Sequence, residues 1–281
     1  MKYVSTRRSN DQEVTFETAL TSGYAPDRGL FVPSKLPPNF TAFDLKRYSS
    51  LRYAELAYEI LRLFISSEEV PNTELQNICN KCFSQGWRDN NIVPVFKLPQ
   101  NENETSPTKV PMYLAELFHG PTYCFKDLGL QFVVHLLGYF CTKRQMPMTL
   151  LVSTTGDTGP AAVGAVAGMG NPLLKLVVHF PYGQISEFQR RQLTTVNCDQ
   201  VKVVAFEGGG DDMDIPIKNI LTGSFLENRD NKETVDALKK SKQCGVNSYN
   251  IGRPIMQMVH FVSQIVIKRL GFEKSSYLTL S

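Results

Sequence analysis

Lys126 is the residue of this chain best placed for covalent chemistry. It follows a Gly120-Pro121-Thr122 turn and opens a long apolar segment, residues 128–140. Burial penalises the ionised form of a lysine. A neutral amine is the form that condenses with an aldehyde. Lysine is almost never fully buried without a partner, so stripped of its flanks Lys126 reads as an ordinary surface residue.

A second constellation is Ser153-Thr154-Thr155-Gly156-Asp157-Thr158-Gly159-Pro160, between an expected strand and a helix of small residues. Backbone N–H groups at a helix start attract anions, and glycine lets that backbone approach a ligand closely. The same residues also suit a tight strand-to-helix turn with Thr and Asp caps. A third constellation is Asn247, Ser248, Asn250 and Arg253. The planar fork of an arginine, with amides beside it, matches a phosphate monoester. Arg253 equally suits a first-turn helix position facing water. The run Glu207-Gly208-Gly209-Gly210-Asp211-Asp212 looks like a phosphate loop, but its two trailing acids would repel phosphate. No P-loop and no Gly-x-Gly-x-x-Gly after a strand supports nucleotide binding.

The segment Glu116-Leu117-Phe118-His119-Gly120-Pro121-Thr122, with Phe125-Lys126-Asp127, closely resembles the cofactor-lysine segment of the threonine synthases and threonine synthase-like proteins. Further motifs follow in the family's order: Tyr3-Val4-Ser5-Thr6-Arg7, the run from Gly23 to Pro33, Thr155-Gly156-Asp157-Thr158-Gly159, Gln189-Arg190-Arg191-Gln192-Leu193, Asn247-Ser248-Tyr249-Asn250, and Arg253. The resemblance implies an α/β fold of type II, the tryptophan synthase β-like kind, which uses pyridoxal 5'-phosphate (PLP). It implies that Lys126 carries PLP and that Asp157 lies near the ring hydroxyl. Thr155, Gly156 and Thr158 would hold the substrate carboxylate. Asn247, Ser248, Asn250 and Arg253 would contribute to substrate or phosphate recognition. The implied activity is elimination or replacement on a small phosphorylated amino acid such as O-phosphohomoserine. Thr155 stands where the family commonly has serine, and the hydroxyl is retained. Tyr182, in Pro181-Tyr182-Gly183, stands where the family usually has a basic residue, so that phosphate contact is not carried over. His119 reads as a structural hydrogen-bonding residue, and His135, His179 and His260 as core or boundary residues.

Composition excludes several other classes. Of 281 residues, 42% are hydrophobic and 20% charged, which suits an ordinary globular core, and the net charge of +3 is spread without the basic stripe of a nucleic-acid binder. The longest apolar stretch contains Gln131 and His135 and is too short for a bilayer. The N-terminal residues hold no signal-peptide run, so a cytoplasmic location is expected. Six cysteines in so long a chain do not make a disulfide scaffold. Cys79 and Cys82 fall on one apolar stripe with Leu75, Ile78 and Phe83, which favours a core role over a metal site.

The elements that must position these residues fall into two regions. Residues 1–95 read as a small, mostly helical unit, with a strand near Tyr3, a turn at Asp27-Arg28-Gly29, a helix over 53–65 and another after Pro71. Residues 100–109 read as an exposed loop. Residues 96–281 form the α/β region. There, strand-like runs at 112–117, 149–153, 173–180 and 201–206 alternate with helical patterns at 127–140, 160–166, 185–193, 213–221 and 254–269. Such alternation predicts a parallel sheet covered by helices.

In the family, a glycine-rich loop after the helix matching 254–269 cradles the PLP phosphate. The sequence ends before that loop, so the resemblance implies a chain incomplete at its C-terminus. The expected consequences are exposed sheet edges and apolar surface, with self-association into a homo-oligomer as one outcome. A catalytically silent binding or signalling protein is the alternative reading.

Overall fold

The computed structural model describes residues 1–8, 12–99, 112–210, 212–223, 236, 241–269 and 276–280. The expected loop at 100–109 and Asp211 lie outside them.

The N-terminal unit begins with a two-stranded antiparallel ribbon of β1 (Tyr3–Ser5) and β2 (Phe31–Pro33). Between them runs α1 (Phe16–Ser22), whose start is fixed by Thr15: its side chain accepts from the Thr18 N–H. Helices α2 (Ala42–Tyr48), α3 (Tyr53–Leu61) and α4 (Asn72–Ser84) follow. Thr41 and Asp44 form a capping box on α2. Pro71 stands at the N-cap of α4, and Cys79 and Cys82 are buried along that helix.

A small sheet joins β3 (Val95–Lys97), β4 (Met112–Glu116) and β9 (Ser276–Leu280), with β4 antiparallel to β3 and parallel to β9. From β4 the chain enters α5 (Lys126–Arg144). This helix has no polar face to speak of. Leu128, Leu130, Phe132, Val133, Val134, Leu136 and Leu137 are all fully buried, so α5 is a core element rather than a surface one.

The larger sheet is parallel throughout, in the order β7-β6-β5-β8. Its strands are β5 (Met148–Ser153), β6 (Leu174–Pro181), β7 (Val201–Phe206) and β8 (Lys242–Gly245). Between them lie α6 (Thr158–Met169), α7 (Glu187–Thr194) and α8 (Asp214–Leu221), and the helix after β8 is α9 (Gly252–Arg269). The chain runs from β5 outward to β7, then returns to place β8 on the other flank of β5. That reversal creates a switch point at the C-terminal ends of β5 and β8, where open parallel sheets bind ligands. Among the described residues no helix is long and apolar enough to cross a membrane.

Candidate functional site at the switch point

Three loops converge beyond the C-terminal ends of the strands. The loop after β5 carries Thr154 to Asp157, the loop after β8 carries Asn247 to Asn250, and the loop after β7 carries Gly208 to Gly210. Asn247 ties the first two together, donating from Nδ2 to the Ser153 carbonyl at 2.8 Å. Ser153 in turn donates its hydroxyl to Asp214 Oδ1 at the start of α8. Ser153, Thr155, Thr158, Gly210, Asp214 and Asn247 border a cavity of about 160 Å³. The glycine loop after β7, discounted on sequence, therefore does border the site: a side chain at Gly210 would meet Thr155.

Lys126 is the first residue of α5, and its side chain is 21% exposed. Its Nζ lies 3.2 Å from Asp157 Oδ2 and 4.3 Å from the centre of the Phe125 ring. The two residues are 31 positions apart in sequence. Burial opposes ionisation of Asp157, but hydrogen bonds from Gln189 and Lys126 outweigh it and hold the carboxyl below its ordinary value. The Gln189 bond runs from Nε2 to Asp157 Oδ1 at 2.8 Å.

The turn before Lys126 is clamped from two sides. Arg88 donates from its backbone to the His119 carbonyl at 2.9 Å and from its guanidinium to the Gly120 carbonyl. The same guanidinium stacks 3.6 Å from the centre of the Tyr123 ring. Inside the turn, the buried Asp127 carboxylate accepts two bonds from Thr122. His119 pairs with Glu116 at 2.6 Å, as a structural histidine would. Tyr123, Cys124, Asp157, Phe188, Gln189 and Gln192 border a second cavity of about 180 Å³.

At the start of α6 the expected anion site is partly taken. The Thr154 hydroxyl accepts from the N–H groups of Gly156 and Gly159, at 3.1 and 2.9 Å. Thr155 is exposed, Gly156 is buried, and Thr158 is half-buried. Gly156 has φ of +142°, a region where glycine is at home, and a side chain there would run into Gln189.

Arg253 sits in the first turn of α9, only 4% exposed. Its Nε makes no hydrogen bond among the described residues, and no described carboxylate pairs with it. Burial pushes its pKa down to about 10, with the neighbouring Cys124 acting in the opposite sense. Cys124 also feels Lys126 and Asp157, so one thiol is within electrostatic reach of both the lysine pair and the buried guanidinium. Asn247 Oδ1 and the Tyr249 hydroxyl are likewise buried without a partner among the described residues.

One expected site residue is turned away from the cavity. Asn250 is fully buried, and its amide is occupied by backbone: Nδ2 donates to the carbonyls of Leu20 and Gly245 at 2.8 and 2.9 Å, and Oδ1 accepts from the Gly252 N–H at 3.0 Å. It anchors the loop and is not presented to a ligand. Ser248 is exposed on that loop. Tyr249 stacks on Tyr24 with ring centres 4.4 Å apart, which joins the Gly23–Pro33 motif to the site. Gln189 and Thr154 were not assigned these contacts from sequence, although Ser186-x-x-Gln189 carries a readable capping-box signature.

Residues 2–83 match the family model described as threonine synthase N terminus. Over 92% of its length the chain is 38% identical to threonine synthase-like 2 of Pongo abelii, covering 48% of that protein. Its structure superposes on threonine synthase from yeast with a TM-score of 0.78 at 30% identity, covering 96% of this chain and 50% of that one. Over the half of those proteins that it covers, the chain is similar in sequence and fold to the threonine synthases and threonine synthase-like proteins. It also superposes on a PLP-bound threonine synthase from Brucella melitensis, with a TM-score of 0.77 at 31% identity, covering 96% of this chain and 52% of that one. The fold is therefore the type II fold of these proteins, and the chain spans about half the length of the curated relatives it matches.

Proposed function

We propose that this chain binds PLP through Lys126 and supports threonine synthase-type chemistry on a small phosphorylated amino acid, of which O-phosphohomoserine is the specific candidate. One observation carries the reading. A partly buried amine, paired with Asp157, and a buried guanidinium that has no carboxylate partner among the described residues both act on the Cys124 thiol. An unpaired buried charge is costly unless an anion completes it.

The residues present fit an anionic aldehyde cofactor. Lys126 supplies the amine, Asp157 the polar neighbour, and Arg253 a cation already stripped of water. When bound, PLP supplies an electron sink for negative charge developing at the substrate α-carbon. The chain's own residues do the rest. Lys126 Nζ moves protons at the substrate's α- and β-carbons, and Asp157 steers the amine. The backbone from Thr155 to Thr158 faces the substrate carboxylate, with the Thr158 and Thr155 hydroxyls beside it. Arg253 and Asn247 bind phosphate oxygens, since a guanidinium and an amide match that group. Two product classes suit this arrangement: a hydroxy amino acid, from replacement of phosphate by water, or a 2-oxo acid, from elimination and hydrolysis.

The test is to mix purified protein with PLP, record the visible spectrum, reduce with borohydride and map the adduct. A saturable adduct on Lys126, absent in Lys126→Ala, is the expected result, followed by phosphate release from O-phosphohomoserine. An adduct unaffected by Lys126→Ala would refute the reading.

A further inference from the structure

Asp157 has two oxygens, and each has its own partner. Oδ2 faces Lys126 Nζ at 3.2 Å, and Oδ1 accepts from Gln189 Nε2 at 2.8 Å. Gln189 is itself held. Its Oε1 accepts from the Ser186 N–H at 3.1 Å and lies 3.0 Å from the Ser186 hydroxyl, while Ser186 Oγ accepts from the Gln189 N–H at 3.2 Å. This is the capping box of α7, and it fixes both ends of the Gln189 amide: the oxygen caps the helix, so the nitrogen must point at Asp157. Gly156 completes the arrangement, because any side chain there would occupy the place of the Gln189 amide.

We propose that Gln189 is a positioning residue, whose helix-capped amide orients Asp157 so that one carboxylate oxygen is reserved for Lys126. The Asp157 side chain is 47% exposed, so without a second tether it would sample several rotamers. An exposed ion pair loses most of its value when its geometry is not fixed. The bond from Gln189 turns a loose surface carboxylate into a fixed one. Among the described titratable groups, Lys126 and the Cys124 thiol also hydrogen-bond to Asp157. This inference rests on the reading that Lys126 is the reactive amine.

Two variants separate positioning from helix capping. Gln189→Met keeps the bulk and removes both the amide donor and the capping oxygen. Ser186→Ala damages the same cap but leaves the amide on Asp157. The first measurement is the carboxyl titration of Asp157, followed by ¹³C NMR in protein without added cofactor. The second is the rate at which pyridoxal and borohydride trap Lys126 at a fixed neutral pH. In Gln189→Met the Asp157 midpoint should move up toward the ordinary carboxylate range, and trapping should change by about threefold, the scale of one partly exposed ion pair. Ser186→Ala keeps the Ser186 N–H on Gln189 Oε1 and should stay close to the wild type in both. Should Gln189→Met fail to fold, Gln189→Glu keeps the capping oxygen, lacks the donor, and should also raise the midpoint. Equal titrations in all variants, or a Ser186→Ala that behaves like Gln189→Met, would overturn the proposal. The titration is read without cofactor, so a failure of PLP to bind Lys126 would sink the functional reading and leave this result intact.

Discussion

Asp127 takes two hydrogen bonds from Thr122, one from the backbone N–H and one from the hydroxyl, each 2.8 Å long. It is the residue after Lys126, yet the two side chains part company: the carboxylate is fully buried while the amine meets Asp157. The turn from Gly120 to Tyr123 is thus folded around an internal acid, and that fixes where α5 begins. A side chain at Gly120 would collide with the same carboxylate.

The two acids beside Lys126 should respond to pH with opposite signs. Burial lifts the Asp127 pKa above its ordinary value, against the Thr122 bonds that lower it. Its contribution to stability is full below the unfolded carboxylate value and is lost as pH rises through the raised native one. At Asp157 the native value is lowered, so its contribution is present above the unfolded value and lost as pH falls through the native one. Melting temperatures of Asp127→Asn and Asp157→Asn, read against wild type from about pH 3 to pH 7, check this. The Asp127→Asn curve should gain on wild type as pH rises, and the Asp157→Asn curve should lose.

Arg253→Met should separate stability from binding. Exchanging a buried unpaired charge for an apolar chain of similar size is neutral or stabilising by about 1–4 kcal/mol. Thermal melting should therefore stay level or rise. Saturable PLP binding should weaken by about tenfold or more, since a buried charge-assisted contact is lost. A variant that melts early and binds normally would argue that the guanidinium is structural.

Asn250→Ala should be costly for the opposite reason. The amide serves the carbonyls of Leu20 and Gly245 and the N–H of Gly252, all in the interior. Stranding these groups should cost about 2–4 kcal/mol in denaturant unfolding. Ser248→Ala, two residues away and exposed, should stay within about 0.5 kcal/mol of wild type.

Gly156→Ala tests the backbone of the loop. Its φ of +142° is unfavourable for a residue with a Cβ, and the added methyl would push on Gln189. A loss of about 1–3 kcal/mol is expected. The Asp157 titration should shift in the same direction as in Gln189→Met.

Much of the fold was legible because buried parallel strands announce themselves as apolar runs. The expected strands at 149–153, 173–180 and 201–206 fall within one residue of β5, β6 and β7. Strand β8, Lys-Gln-Cys-Gly, was not legible: it is short and half polar, and becomes a strand by lying beside Met148 to Leu151 of β5. At the site, the resemblance to the threonine synthases singled out Lys126 and Arg253, which residue type alone left as ordinary surface residues, and the bond between Lys126 and Asp157 spans 31 residues, so no local pattern encodes it. Asn250 misled because an amide near an arginine looks the same whether it turns to a ligand or to backbone carbonyls. Three interior backbone groups decide which.

The bond from Asn250 to Leu20 joins residues 230 apart, and Lys242 reaches back 221 residues to the Thr21 hydroxyl at 2.6 Å. During synthesis α1 emerges long before its partners Lys242 and Asn250. The central strand β5 likewise gains its second neighbour only when β8 arrives, after β6 and β7 are in place. Contacts between such distant residues are slow to form, because the loop they close must be ordered first. Assembly of the loop that carries Asn247 is therefore a late folding event, and a pulse of hydrogen exchange during refolding should protect β5 and β6 before residues 245–250.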